Sequence, residues 1–328
     1  MECIDRLKNR VDLTFEEART VFAGMLDGEM LQEEIEQILV LLADKGETAT
    51  EIAGAAHALL ERAIPLPHTF DRLLDTCGTG GDGRGTFNIS TTSAIVCSLF
   101  VPVAKHGNRA VSSLSGSADV LEALRVPIDL DAEGAARFLK EKNFVFLFAQ
   151  KFFPAMRYVT AARKRIGKRT IFNLLGPLCN PARPDSQLIG VFREDVMPTY
   201  LEALEILAIP NVMLVASHDG LDEISVSAGT VCFHKQGASV RRFEFDPKDF
   251  GIYADLRAIK GHTPATNARI MKETLLGRHP ELADVVAINA AFALMAANVE
   301  ERPVPAFLLA REVIRSGKAY ERLVDLAS

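Results

Sequence analysis

Three short stretches concentrate the residue types that do chemistry. DTCGTGGDGRGTFNIST, residues 75–91, places five glycines between Gly78 and Gly85 and then turns to Asn88, Ser90 and Thr91. Glycines reach positive φ and let peptide N–H groups crowd an anion, and a helix starting just beyond would add its own N-terminal donors. A glycine-rich turn without chemistry is equally compatible with those residues alone. The second stretch, AKHGNR, offers Lys105, His106, Asn108 and Arg109, and the third, HDGLDEIS, offers Asp222 and Glu223 side by side. Backbone donors, cations and paired carboxylates are together what a magnesium–diphosphate ester requires, because Mg2+ prefers hard oxygens and bridges phosphate to carboxylate.

Two nucleotide motifs fail on detail. Gly78, Gly80 and Gly83 satisfy G-x-G-x-x-G, but the acidic residue expected about twenty positions on is replaced by the basic VAKHGNR. A P-loop needs Lys followed by Ser or Thr after its second framing glycine, where Arg84 and Gly85 stand.

The elements that must position these residues are legible from periodicity. The first seventy residues read as helical, with S/T-x-x-E capping boxes at Thr14–Glu17 and Thr48–Glu51. One apolar stripe is Val21, Phe22, Met25 and Leu26; the next is Ile35, Ile38, Leu39 and Leu42. AIPLPHTF at 63–70 reads as a linker. Beyond it, strand candidates alternate with helices: LLDTC, a helix from Ser90, VPVAKHG, SADVLEAL, DAEGAARFLKEK and FVFLFAQ, then QLIGVF, a helix at 196–208 and NVMLVAS. That alternation predicts a parallel sheet with crossover helices. TVCFHKQ and SVRRFEF read as antiparallel, and helices close the chain from about 265 to 327. In an open sheet of this kind ligands bind beyond the carboxyl ends of the strands. LLDTC runs into GTGGDG, VPVA into KHGNR and NVMLVAS into HDGLDEIS, so the three stretches are expected on one rim.

Composition narrows the class. With 328 residues the chain has material for about two domains, and a net charge of −6 argues against nucleic acid as its main partner. No signal-peptide core opens it, and the longest apolar run, VVAINAAFALMAANV, is too short for a bilayer and is interrupted by Asn289 and Asn298. A cytoplasmic location is expected. Five cysteines without C-x-x-C spacing suggest reduced, mostly buried thiols rather than disulfides or a zinc site.

GTGGDG, T-F-NIST, AKHGNR, S-GSADVLEAL, RTIFNLLGPL-NPA and DGLDEIS, in this order, resemble the anthranilate phosphoribosyltransferases, and KGETATEIAGAA extends the resemblance into the helical start. Related pyrimidine nucleoside phosphorylases carry a K-H-S-T-G-G-type loop that is not found here. The resemblance implies an α/β fold: a small all-helical domain at 1–68, joined by the segment around 155–180, and a larger domain at 69–328 with a mainly parallel central sheet flanked by helices. It implies a helical domain that closes over the sheet and carries Arg163 towards the rim. It also implies transfer of phosphoribosyl from phosphoribosyl diphosphate to anthranilate in tryptophan biosynthesis, with Mg2+, two ions, and a homodimer through the helical domain. No membrane or nucleic-acid partner is implied.

The same resemblance assigns residues. Gly78, Gly81, Asp82, Thr86, Asn88, Ile89, Ser90 and Thr91 would line the diphosphate and ribose site, with Lys105, His106, Gly107, Asn108, Arg109, Ala110, Val111, Ser112 and Ser113, and with Ser117 beyond them. Ser90, Asp222 and Glu223 match magnesium ligands; Gly78, Asn108 and Arg163 match positions facing anthranilate. No side chain is expected as a covalent nucleophile. His106 is compatible either with a hydrogen-bonded structural histidine or with a part in the site. Asn173 and Asn180 read as caps and turn formers, and ARKRIGKR, apart from Arg163, as a solvated helix face. Two positions depart from the family pattern: Phe153 stands where His usually precedes Pro, and Leu114 where a basic residue is usual. These lead one to expect weaker binding or a changed acceptor preference. The alternatives are a transferase of the same fold with another aromatic acceptor, and a catalytically silent homologue binding nucleic acid through ARKRIGKR.

Overall fold

The computed structural model describes residues 2–80, 83–110 and 114–328. The chain opens with helices α1 (Glu2–Lys8), α2 (Phe15–Asp27), α3 (Gln32–Lys45) and α4 (Ala49–Glu61). Alternation follows: β1 (Leu74–Gly78), α5 (Ile89–Cys97), β2 (Val103–Gly107), α6 (Ser117–Ala123), α7 (Ala132–Lys142) and β3 (Phe144–Phe148). Helices α8 (Ala149–Phe152), α9 (Arg157–Ile166) and α10 (Phe172–Leu175) precede β4 (Ser186–Gly190), α11 (Met197–Ile206) and β5 (Asn211–Ser217). The hairpin of β6 (Thr230–Gln236) and β7 (Ser239–Phe245) leads to α12 (Pro264–Leu275), α13 (Pro280–Ala296), α14 (Pro303–Arg315) and α15 (Lys318–Leu326).

The chain forms two compact units. One comprises Met1–Pro65, Gln150–Pro181 and Pro198–Ala208; the other comprises Leu66–Ala149, Ala182–Met197 and Ile209–Ser328. In the second unit the strands make one seven-stranded sheet in the order β3-β2-β1-β4-β5-β6-β7. The first five are mutually parallel, and β6 and β7 join as antiparallel strands through a turn at Gly237, which adopts φ +57°. The fold is therefore α/β with a mainly parallel sheet, as the sequence pattern indicates. The edge strand β3 and the inner strand β5 are both covered on both faces, which explains why FVFLF and most of NVMLVAS are uninterrupted apolar runs. α13 lies against α5, α14, β1, β4 and β5. Its residues from Val285 to Ala296 are all buried, so that run is a core helix apolar on every side. Among the described residues no helix is long and apolar enough to cross a membrane.

In the first unit α2 buries Phe22, Met25 and Leu26 of its expected stripe but leaves Val21 half-buried, and α3 buries all of Ile35, Ile38, Leu39 and Leu42. α9 lies against α2 and α3, where Gln32 Nε2 donates to Tyr158 O at 2.7 Å. Phe22 meets Phe172 edge-on, with ring centroids 5.7 Å apart. α11 joins this unit through Tyr200, which is fully buried and donates its hydroxyl to Leu174 O at 2.9 Å. Asn173 lies within α10, and its Oδ1 accepts from Thr170 N, just before the helix, at 3.0 Å.

Both capping boxes form, but they do different work. Glu17 sits at the surface, where it accepts from Thr14 N at 2.8 Å and pairs with Arg6. Glu51 is fully buried and accepts from Thr48 N at 2.8 Å, from Leu13 N at 2.9 Å and from Lys45 Nζ at 2.9 Å, the lysine itself being only 5% exposed. Glu51 thus satisfies two separate stretches of backbone and a buried cation. Replacing it strands those donors, so Glu51→Gln should cost about 3 kcal/mol. Glu17→Gln should cost much less, since its partners are at the surface where water replaces the lost carboxylate. Urea denaturation followed by circular dichroism checks the ratio, and equal losses would refute it.

Candidate active site

The sheet order reverses between β1 and β4, and such a switch point leaves a crevice beyond the carboxyl ends of the two strands. β1 and β4 run in register to their last pair, Gly78 opposite Gly190. The segment after β5 presses onto this pair. A Cβ at Gly190 would lie 1.7 Å from Asp222 O, and one at Gly78 would lie 2.2 Å from Asp222 Oδ2. Two missing side chains therefore create the space in which Asp222 sits. Gly80, at φ +68°, donates its N–H to Asp222 Oδ2 at 2.7 Å, and Thr79 N donates to Gly190 O at 2.9 Å. Glu223 Oε1 accepts from Ser90 N, at the start of α5, at 3.2 Å.

The acidic pair is also held from behind. Asn289 of α13, fully buried, accepts from Ile224 N at 2.9 Å and donates to Ile224 O at 3.0 Å, a two-pronged clasp on the residue next to Glu223. Hydroxyls knit the rest of the segment: Ser217 and Thr230 bond at 2.8 Å, and Ser225 donates to Asp219 Oδ2 at 2.6 Å. Asp222, Glu223 and Ser90 are thus brought together at the switch point.

The rim of β2 carries the second stretch. Lys105 is 2% exposed, with its ammonium directed at Thr76 O and at Ser90 Oγ, the latter 3.3 Å away. His106 projects from β2 to Asp75 of β1, Nδ1 to Oδ2 at 2.6 Å, and the aspartate is fully buried. This pairing gives His106 a hydrogen-bonded structural anchor at the base of the rim. Gly107 is required for close packing, since a Cβ there would lie 2.2 Å from Ser117 Oγ. Asn108 is exposed, and its carbonyl accepts from Ala118 N at 3.2 Å and from Ser117 Oγ at 3.4 Å. The Arg109 guanidinium lies against Asp119 and Glu122, at 3.0 and 2.8 Å, and those carboxylates raise its pKa. Leu114 is 68% exposed and contributes no charge.

A strap from the far end of the chain holds the glycine-rich stretch. Thr86 bridges to Lys260, Gly261 N donates to Gly85 O at 2.6 Å, and Phe87 N donates to Ile259 O at 2.9 Å. Buried Asn267 of α12 donates to Asn88 Oδ1 at 2.9 Å, and Asn88 Nδ2 donates to Ser115 O at 3.2 Å. Ile89 and Thr91 are buried in α5, Ile89 within the hydrophobic core. Gly81, Asp82, Val111, Ser112 and Ser113 lie outside the described residues.

In the helical unit the basic run resolves into distinct roles. Arg165 pairs with Glu36 and Lys164 is exposed, both fitting a solvated face. Arg163 is half-buried over the Phe172 ring, 5.0 Å from its centroid, and among the described residues no carboxylate pairs with it. Burial lowers its pKa, so its charge is held where an anion would be welcome. Phe153 is buried, 5% exposed, just before Pro154.

Titration and donor chemistry limit the reactions available. All five cysteines are free thiols. Burial pushes Cys77, Cys97, Cys179 and Cys232 far above the ordinary thiol range, so none is a thiolate nucleophile at neutral pH. Among the described residues no group of three or more His, Cys, Asp or Glu is arranged to hold a metal alone. Two adjacent carboxylates beside a serine hydroxyl instead fit the partial oxygen shell that Mg2+ completes with water and substrate phosphate.

The sequence did not single out Gly190, Asp75, Asp119 or Asn267, and it noted Asn289 only as an interruption of an apolar run. Gly190 had a usable signal, since glycine inside a strand pattern marks close backbone approach.

Comparison with known proteins gives the class first. Residues 1–63 match the glycosyl transferase family, helical bundle domain, and residues 71–320 match the glycosyl transferase family, a/b domain. A relative from Halalkalibacterium halodurans named anthranilate phosphoribosyltransferase is 43% identical over 312 residues, covering 94% of this chain and 91% of its own. The crystal structure of anthranilate phosphoribosyltransferase from Thermus thermophilus superposes with a TM-score of 0.93 at 39% identity, over 100% of this chain and 98% of that one. The Saccharomyces cerevisiae enzyme of the same name, solved in complex with PRPP and Mg, matches with a TM-score of 0.90 at 26% identity, over 99% and 97%. The chain belongs to the anthranilate phosphoribosyltransferase family.

The two glycines make separable predictions. A methyl at 78 meets the Asp222 carboxylate, whereas a methyl at 190 meets its backbone carbonyl. Gly78→Ala and Gly190→Ala should each destabilise by about 1–3 kcal/mol. Adding Asp222→Ala should recover much of the loss in the first background and little in the second. Equal recovery in both, measured by urea denaturation, would refute the assigned contacts.

Proposed function

We propose that this protein transfers the phosphoribosyl group of 5-phosphoribosyl 1-diphosphate to the amine of anthranilate, giving N-(5-phosphoribosyl)anthranilate and diphosphate, in tryptophan biosynthesis. The observation that carries the reading is the pair Asp222 and Glu223 seated at the switch point, against Ser90 and the backbone of Gly80. Ser90, Asp222 and Glu223 are the residues that would hold Mg2+, two ions in this reading. Bound there, the metal would offset the charge that grows on the departing diphosphate.

The chain's own groups supply placement. The N–H groups and hydroxyls of the stretch from Gly78 to Thr91, with those from Lys105 to Ser113 and Ser117, orient the diphosphate and ribose. The half-buried Arg163 guanidinium takes the anthranilate carboxylate, and Asn108 and Gly78 border the acceptor. In the reaction the C1–O bond to diphosphate breaks, the C1–N bond forms from the opposite face, and the amine proton leaves to water. The uncharged aromatic amine is already nucleophilic, so effective molarity and electrostatics provide the rate. A cytoplasmic homodimer joined through the helical unit fits the reading, supported by the exposure of Leu31 and Val40 there.

The test is the fluorescence of anthranilate with enzyme, phosphoribosyl diphosphate and Mg2+. Signal should fall only when all are present, and an unchanged signal would sink the proposal. Asp222→Asn with Glu223→Gln keeps the oxygen acceptors for Gly80 and Ser90 but removes both charges, so turnover should fall about a hundredfold or more in a folded protein. Arg163→Ala should raise KM for anthranilate about tenfold while sparing KM for the diphosphate and leaving the poor acceptor aniline unaffected. Lys164→Ala should change neither, and a matching loss there would remove Arg163 from the site.

A further inference from the structure

We infer that Asp119 is a positioning residue for diphosphate binding, acting as the clasp that closes the neck of the loop after β2; the inference rests on the reading above. The carboxylate sits in the first turn of α6 and is 16% exposed. Its Oδ2 accepts from Ala110 N at 2.9 Å and from Gly116 N at 2.9 Å, so one oxygen ties together two residues six apart in the chain. Its Oδ1 takes Arg109 Nη1 at 3.0 Å. Burial alone would raise the pKa of this acid, but the two backbone donors and the guanidinium outweigh it and hold the group ionised, below the usual carboxylate range.

The neck is tight on both sides. A Cβ at Gly116 would lie 2.4 Å from Ala110 N and 2.6 Å from Asn108 O. Just beyond, Ala118 N and Ser117 Oγ both donate to Asn108 O. Ala110 and Gly116, the latter leading directly into Ser117, are therefore tied by a single anionic group, while Asn108, which borders the acceptor, is held through its own carbonyl by Ser117 and Ala118. Arg109 is engaged by Asp119 and by Glu122, whose two oxygens lie 2.8 and 3.0 Å from the guanidinium. The two acids differ in one respect: Glu122 bonds only the side chain, whereas Asp119 bonds the backbone as well.

That difference defines the test. Asp119→Asn keeps the shape but sets an amide against Arg109 and weakens the acceptor, so KM for phosphoribosyl diphosphate should rise about tenfold. KM for anthranilate and the melting temperature should stay close to wild type. Glu122→Gln should stay within about twofold of wild type in all three. Gly116→Ala opens the same neck with Asp119 intact and should reproduce the selective rise, which covers the case in which the aspartate variant folds poorly. Calorimetric titration of each protein with phosphoribosyl diphosphate and Mg2+ separates binding from turnover. If wild type binds and Asp119→Asn and Gly116→Ala bind equally well, or if anthranilate KM rises as much, the clasp is only structural and the inference is overturned. If wild type itself binds no phosphoribosyl diphosphate, the functional reading falls and the inference with it.

Discussion

Two parallel strands that end in facing glycines leave a gap the width of two side chains, and the site depends on what fills it. At Gly190 the segment after β5 brings its own backbone, and at Gly78 the Asp222 carboxylate, where Cβ atoms would otherwise stand. Close approach of this kind puts a carboxylate on the switch point without a long side chain, and so with less rotamer freedom to lose than a longer acid would have. Once Asp222 is seated, the N–H of Gly80 has its acceptor and Glu223 reaches the first turn of α5. Asn289 then fixes the following residue from the core, so the acidic pair is gripped from both directions.

Around that point polar bonds join the loops to one another. Asn267, Asn88 and Ser115 form a chain from α12 through the glycine-rich stretch to the loop after β2. Asp75 with His106, and Lys105 with Thr76 and Ser90, connect β1, β2 and α5 beneath it. Directional bonds in a low-dielectric setting specify one geometry, whereas apolar contacts tolerate sliding. A site that must match a charged, hydrogen-bonding ligand benefits from that difference.

The helical unit uses its charges in the same two ways. Glu51 and Lys45 are buried and mutually compensated, which serves the fold. Arg163 is half-buried over an aromatic ring with no acid beside it among the described residues, which under the proposed function leaves its charge for the acceptor's carboxylate. The departures from the family pattern read plainly against this background. Phe153 is buried, so any effect it has on an acceptor runs through packing, while Leu114 is exposed and simply adds no cation.

The sequence alone determined what local periodicity encodes. Both capping boxes, the apolar stripes of α2 and α3, the β-α alternation and the antiparallel β6–β7 pair were legible because each rests on spacings of two to four residues. The three reactive loops were legible as well, since the ends of strand candidates predict a shared rim. Contacts between distant positions had no such local signature, and only the tertiary structure decided them. Gly190 and Gly78 matter because of Asp222, Asn289 because of Ile224, and Asn267 because of Asn88; none of these pairs is adjacent in sequence. α11 reads as an ordinary crossover helix until Tyr200 is seen to anchor it to Leu174. Arg163 and Arg165 are two positions apart in one basic run, and periodicity separates their directions but not their surroundings. What distinguishes them is which neighbour each side chain meets, Glu36 for one and Phe172 for the other, and that follows from helix packing.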